Sequence, residues 1–88
     1  MEETKFYEIV KPSAADKKIV RVTYQDSQGR VTERRMEPYE IKGGYFFGWG
    51  IDPGSNGELG IKRMIIGRIT KVEVTEETFI PRYPNMIL

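Results

Sequence analysis

Residues 45–51 alternate large side chains with small ones, and this pattern constrains the chain more than any other. A strand points successive side chains to opposite sides, so Tyr45, Phe47, Trp49 and Ile51 form one stripe. Phe46, Gly48 and Gly50 share the other face. Glycine inside a strand gives up packing and marks a hard bend or the close approach of another group to the backbone. A turn at Gly43-Gly44 precedes this strand, and Asp52-Pro53-Gly54-Ser55-Asn56-Gly57 follows it as the strongest loop signal in the sequence. Leu59 to about Met64 reads as the return strand, and Gly67 breaks the run in a single helical turn. The pattern places Tyr45, Phe47 and Trp49 in the core. Phe46, beside two glycines, either stacks a flat ligand or packs under an N-terminal helix.

The rest of the chain supplies short strands. Phe6-Tyr7-Glu8-Ile9-Val10 has strand propensity and ends before Pro12; Ser13 then starts a helix of one or two turns as its N-cap. Residues 19–24 alternate, with Val20, Val22 and Tyr24 on one face, and Asp26-Ser27-Gln28-Gly29 turns the chain back. The next strand runs from Val31 to about Glu37 and stops near Pro38. Its alternation is imperfect: Arg34 shares a face with Met36. Either a bulge resets the register, or Arg34 points inward and needs an acid, a carbonyl or a ligand as partner. A last strand covers residues 69–75 with Val72 and Val74 inward, and the tail 79–88 is apolar and kept extended by Pro81 and Pro84. About five short strands and one small helix predict a mainly β fold. The expected form is a small, strongly bent antiparallel five-stranded barrel, closed to remove its exposed edges.

Eighty-eight residues make one domain, with a core over about 18–79, an N-terminal segment 6–17 and the tail. Without Cys or His, disulfides, thiol chemistry, the usual structural zinc and histidine acid–base catalysis are excluded. The net charge of +1 does not by itself point to nucleic acid. No run approaches the roughly 20 apolar residues of a membrane span, and the acidic start lacks the basic and apolar regions of a signal peptide. A cytoplasmic protein is the expectation.

The order Val20-Arg21-Val22-Thr23-Tyr24, a hairpin at Gly29, Arg34-Arg35-Met36-Glu37-Pro38, an aromatic strand, then Lys62 through Arg68-Ile69 resembles the WYL domain over residues 18–79. The name-giving Trp-Tyr-Leu stands here as Tyr45-Phe46-Phe47. The family's Phe-Arg-Leu-Asp-Arg-Ile stands as Met64-Ile65-Ile66-Gly67-Arg68-Ile69. One basic position is therefore Ile65, and the acid is Gly67. The resemblance implies an Sm-like small barrel acting as a regulatory, ligand-sensing module of bacterial and phage transcription regulators. Such modules bind a nucleotide or nucleic acid, usually beside a helix-turn-helix domain. This chain has no room for that second domain, so it is expected to be a stand-alone copy or a fragment.

No carboxylate pair or serine occupies a catalytic motif, so a non-enzymatic module without cofactor is expected. The candidate ligand-binding residues are Arg34, Phe46, Lys62 and Arg68: Phe46 would stack, and the cations would contact phosphate of a nucleotide or a short single strand. Residues 59–72 hold Lys62, Arg63, Arg68 and Lys71 and no acid. Lys62 and Arg63 point to opposite faces, so at most part of this set forms one patch, and a solvated basic face is the commoner origin of such a run. The alternative function is a protein-interaction or assembly module of a bacterial or phage complex, with the tail 79–88 or an uncovered sheet edge as the contact. One prediction needs only the sequence. Gly29 should have positive φ, so Gly29→Val should cost more than the about 0.5 kcal/mol of an ordinary surface change. The melting temperature checks it.

Overall fold

The computed structural model describes residues 1–52 and 59–84. Helix α1 (Glu3–Ala15) is followed by β1 (Lys18–Gln25), β2 (Val31–Lys42), β3 (Tyr45–Gly50), β4 (Gly60–Ile65), a 3-10 turn (Ile66–Arg68) and β5 (Ile69–Thr78). The expected loop over 52–57 lies, beyond Asp52, outside the described residues, as does the tail beyond Pro84.

The first ten residues correct the sequence reading. Residues 6–10 are helix, not strand, and the helix starts ten residues before Ser13. Phe6, Val10 and Ser13 recur at four and three residues, the period of one helical face, and these three are buried. Pro12 does not stop the helix. It removes one N–H from the last turn, while its own carbonyl still accepts from Asp16 at 3.1 Å. The buried Ser13 hydroxyl is satisfied by the Val10 carbonyl at 2.7 Å. Lys17, with φ of 54°, ends the element in the left-handed conformation common at helix C-termini.

The five strands form one antiparallel sheet in the order β4-β3-β2-β1-β5. The five strands and the N-terminal helix agree with the sequence reading; closure into a barrel does not. No ladder joins the edge strands β4 and β5 among the described residues. The sheet is nonetheless curled. Four strand spacings in a flat sheet are about 19 Å. The four Cα steps from Ile65 to Ile69 reach at most about 14 Å, so the two edges must approach at this end. The 3-10 turn is tied down there by Ile66 N–H to the Gly44 carbonyl, 3.0 Å.

β2 also differs from expectation, running through Pro38 to Lys42. Its register against β3 shifts between Pro38 and Glu40, and a bulge is where a residue without N–H can stay in a sheet. The bulge therefore lies beyond Arg34 and does not turn it outward; Arg34 stays on the face of Met36 and meets a carbonyl. Gly29 has φ of +80°, as expected, and Asp26 closes its hairpin by accepting from the backbone of Gln28 and Arg30, each at 2.9 Å.

The helix covers the face of β3 that carries Phe46, not the aromatic stripe. Phe6 and Val10 join Val20, Val22, Met36, Phe46, Met64, Ile66 and Ile69 in the core. The rings of Phe6 and Phe46 meet edge to face at 5.0 Å. Of the inward valines expected on the last strand, Val72 packs against this core and Val74 is exposed. Gly48 explains the choice of face: a Cβ there would lie 2.8 Å from the Glu37 carbonyl and 3.1 Å from the end of Met36. The glycine face can close down on its neighbours, so a single large ring suffices to fill it. Phe46→Ala should therefore cost about 3–5 kcal/mol, and Trp49→Ala distinctly less. Denaturant midpoints of the two variants, measured side by side, check this order.

Candidate binding surface

The sheet face away from the helix carries the aromatic stripe. Register places Trp49 between Glu37 and Ile61, Phe47 between Glu40 and Arg63, and Tyr45 between Lys42 and Ile65. Tyr45, Phe47 and Trp49 are each half-buried, so the expected core stripe is instead a surface. Two arginines lie on it. The Arg63 guanidinium is 4.8 Å from the centre of the Tyr45 ring, and that of Arg82 is 4.5 Å from the Trp49 ring.

One half of this face is covered by the chain itself. After β5 the backbone N–H of Phe79 donates to the Lys17 carbonyl at 2.9 Å, and the segment crosses back over the sheet. Tyr39 receives Phe79 and Tyr83 edge-on, at 5.8 and 5.0 Å, and Tyr83 also meets Trp49 at 6.2 Å. A polar network locks this strap. The Tyr39 hydroxyl donates to the buried Glu37 carboxylate at 2.5 Å and accepts from the Arg82 backbone at 2.9 Å. The Arg82 side chain reaches the same carboxylate at 3.2 Å. A buried carboxylate is costly without such partners. Burial, then the hydrogen bond to Glu37, pushes the Tyr39 phenol up to about 12. At the end of the sheet, Arg35 clasps Asp52 at 2.7 Å and Glu77 at 3.0 Å. The side-chain hydrogen bond from Arg35 holds the Asp52 carboxyl below its usual value.

The other half, with Tyr45, Phe47, Ile61, Arg63 and Ile65, has no strap across it among the described residues. Ile61 and Ile65 are 47% and 41% exposed.

The four residues chosen from the sequence do not form this surface, nor do they come together elsewhere. Phe46 is wholly buried beneath α1, so its ring is core and not a stacking platform. Arg34 lies on the helix side of β2, where its Nη2 donates to the Asp52 carbonyl at 2.8 Å. Gly50 makes room for it: a Cβ there would fall 2.7 Å from that nitrogen. The buried Arg34 Nε has no partner among the described residues. Lys62 is half-buried on the helix side of β4, across from Gly48. Arg68 ends the 3-10 turn, just before Ile69, which pairs with Tyr24 of β1, whereas Arg34 pairs with Val22 from the other side of β1. A groove of about 500 Å³ between the start of α1 and this turn is lined by Met1, Glu2, Lys5, Gly67, Ile69 and Thr70, and by none of the four. Phe79, Arg82 and Tyr83 of the tail, expected to meet a partner, pack on their own sheet instead.

The residues that were missed are Arg63 and Arg82. The alternation Lys62-Arg63 already assigned one cation to each face of β4; Arg82, between two prolines, offered no periodic signal. Compared with models of known protein families, with curated proteins and with solved structures, the chain matches none.

The Tyr39 network predicts an alkaline transition. The phenol's value is raised on folding, so its stabilising contribution is complete below pH 10 and is lost as pH rises through 10 toward about 12. Ultraviolet titration at the phenolate band should show one tyrosine ionising late, and Tyr39→Phe should remove that step.

Proposed function

We propose that this protein is a non-enzymatic binding module, WYL-like in the order of its motifs, that engages a protein partner through the uncovered half of the open sheet face. The observation that carries the reading is apolar surface left in water. Ile61 and Ile65 are exposed beside the half-buried Tyr45 and Phe47, with Arg63 stacked on Tyr45. Adjacent apolar side chains with charges of both signs around them are what protein interfaces present, and aromatics and arginine are enriched at their centres.

A second reading keeps the regulatory role and takes a nucleotide or short single strand as ligand. It is favoured by the two arginine–aromatic stacks, because bases stack on the same ring faces. In this reading the stacking ring is Phe47, not Phe46. The protein partner ranks first because Glu40 lies across from Phe47, and an acid in that row opposes phosphate.

Random twelve-residue peptides displayed on phage and selected on the immobilised protein provide the test. Enriched peptides should lose roughly tenfold in affinity on Phe47→Ser, the effect of removing an interface aromatic. Resonance shifts at Phe47 with nucleoside triphosphates or oligothymidylate, with no enriched peptide, would put the nucleic-acid reading in its place.

A further inference from the structure

β4 is an edge strand that pairs only with β3 among the described residues. An edge presents a row of unpaired N–H and C=O groups, a template for another strand, and proteins blunt it with proline, bulges or charge. β4 contains no proline, and its register against β3 is unbroken from Gly60 to Ile65. What it does carry is charge of one sign. Lys62 and Arg63 are on the strand, Arg68 follows, and no acid occurs from Leu59 to Lys71. The opposite edge, β5, holds Glu73, Glu76 and Glu77.

Cations along an edge oppose its pairing with the same edge of a second copy, because like charges directly across a ladder destabilise it. They favour a strand of opposite charge. The side chains set the rest of the pattern. Ile61, Arg63 and Ile65 point to the open face, and both isoleucines are exposed. A strand laid beside β4 would place apolar residues next to Ile61 and Ile65 and an acid next to Arg63, at alternate positions.

We infer that the β4 edge takes up an extended acidic segment of a partner protein, reading apolar-x-acid-x-apolar, as a sixth strand of the sheet. The inference rests on the protein-binding reading above and names both the edge and the chemistry of the partner. Six residues of β4 span about 20 Å, so a partner segment of five or six residues fills the edge. Its outer apolar residues would extend the Tyr45–Phe47 surface, and backbone hydrogen bonds would supply affinity.

The probe is the synthetic peptide GTVEETVTG, compared with the same peptide carrying lysine at both glutamate positions. Amide exchange of residues 60–65 should slow with the acidic peptide and not with the lysine peptide. Affinity should fall as salt is raised. The exposed Arg63 can be reversed without touching the core: Arg63→Glu should weaken the acidic peptide roughly 5-fold and strengthen the lysine peptide. Unchanged β4 exchange with the acidic peptide, while phage-selected peptides still lose affinity on Phe47→Ser, would overturn the edge inference and leave the face reading standing. Protection of β4 with no effect of Phe47→Ser would support the edge and remove the face. Self-association by light scattering that the acidic peptide fails to disrupt would assign the edge to a second copy and overturn the inference.

Discussion

Three residues join the two edges of this sheet, and that short link imposes its geometry on everything else. A five-stranded sheet wide enough to need a long crossover has none, so it must curl until its edges approach each other at one end, without pairing among the described residues. Curling gives the sheet an inner and an outer surface of unequal area. The inner surface takes Phe46, two glycines and one helix; the outer surface spreads Tyr45, Phe47 and Trp49 apart. Large side chains on the outside and small ones inside are what a bent strand accommodates most easily. The aromatic stripe is therefore a consequence of curvature, and its exposure leaves the molecule with a second apolar surface that a single helix cannot reach.

The chain answers half of that problem by itself. The strap places Phe79 and Tyr83 on Tyr39 and Trp49, making a small aromatic cluster on the outer face. What fixes it is polar: Glu37, buried in the sheet, needs the Tyr39 hydroxyl and the Arg82 guanidinium as partners. Such a network contributes orientation more than net stability, because removing Glu37 from water costs much of what its ion pair returns. The remaining half has, among the described residues, an edge with no strand beside it, and a face with exposed isoleucines, whereas Phe46 is buried.

Much of the fold was legible in the sequence. Five strands, the Gly29 hairpin and the helical turn at Gly67 follow from alternation and turn chemistry, which are local. Apart from the expected closure into a barrel, the differences involve competition between local signals and packing. Residues 6–10 carry β-branched and aromatic residues, but Phe6, Val10 and Ser13 also fit a helical period, and the need to cover Phe46 decides between them. Pro38 reads as a stop, yet a bulge absorbs it. The large residues of β3 point to one face as the core, whereas the helix selects the face that lets it approach closely. The candidate site suffered most, because Arg34, Lys62 and Arg68 were grouped by charge, and only the register shows them divided between a strand face, an edge and a turn. Arg82 could be placed only by folding the tail back, which no periodicity announces.

Arg34 and Gly50 illustrate a further property of this architecture. The guanidinium occupies the volume that a side chain at position 50 would need, and it holds the Asp52 carbonyl from there. The two positions are therefore one unit for mutational drift. An alanine at 50 obliges the Arg34 guanidinium to shift away from its place and loosen its hold on the Asp52 carbonyl, an adjustment that a shorter residue at 34 does not have to make. Related chains should accordingly carry long–glycine or short–alanine combinations at these sites and rarely a mixture.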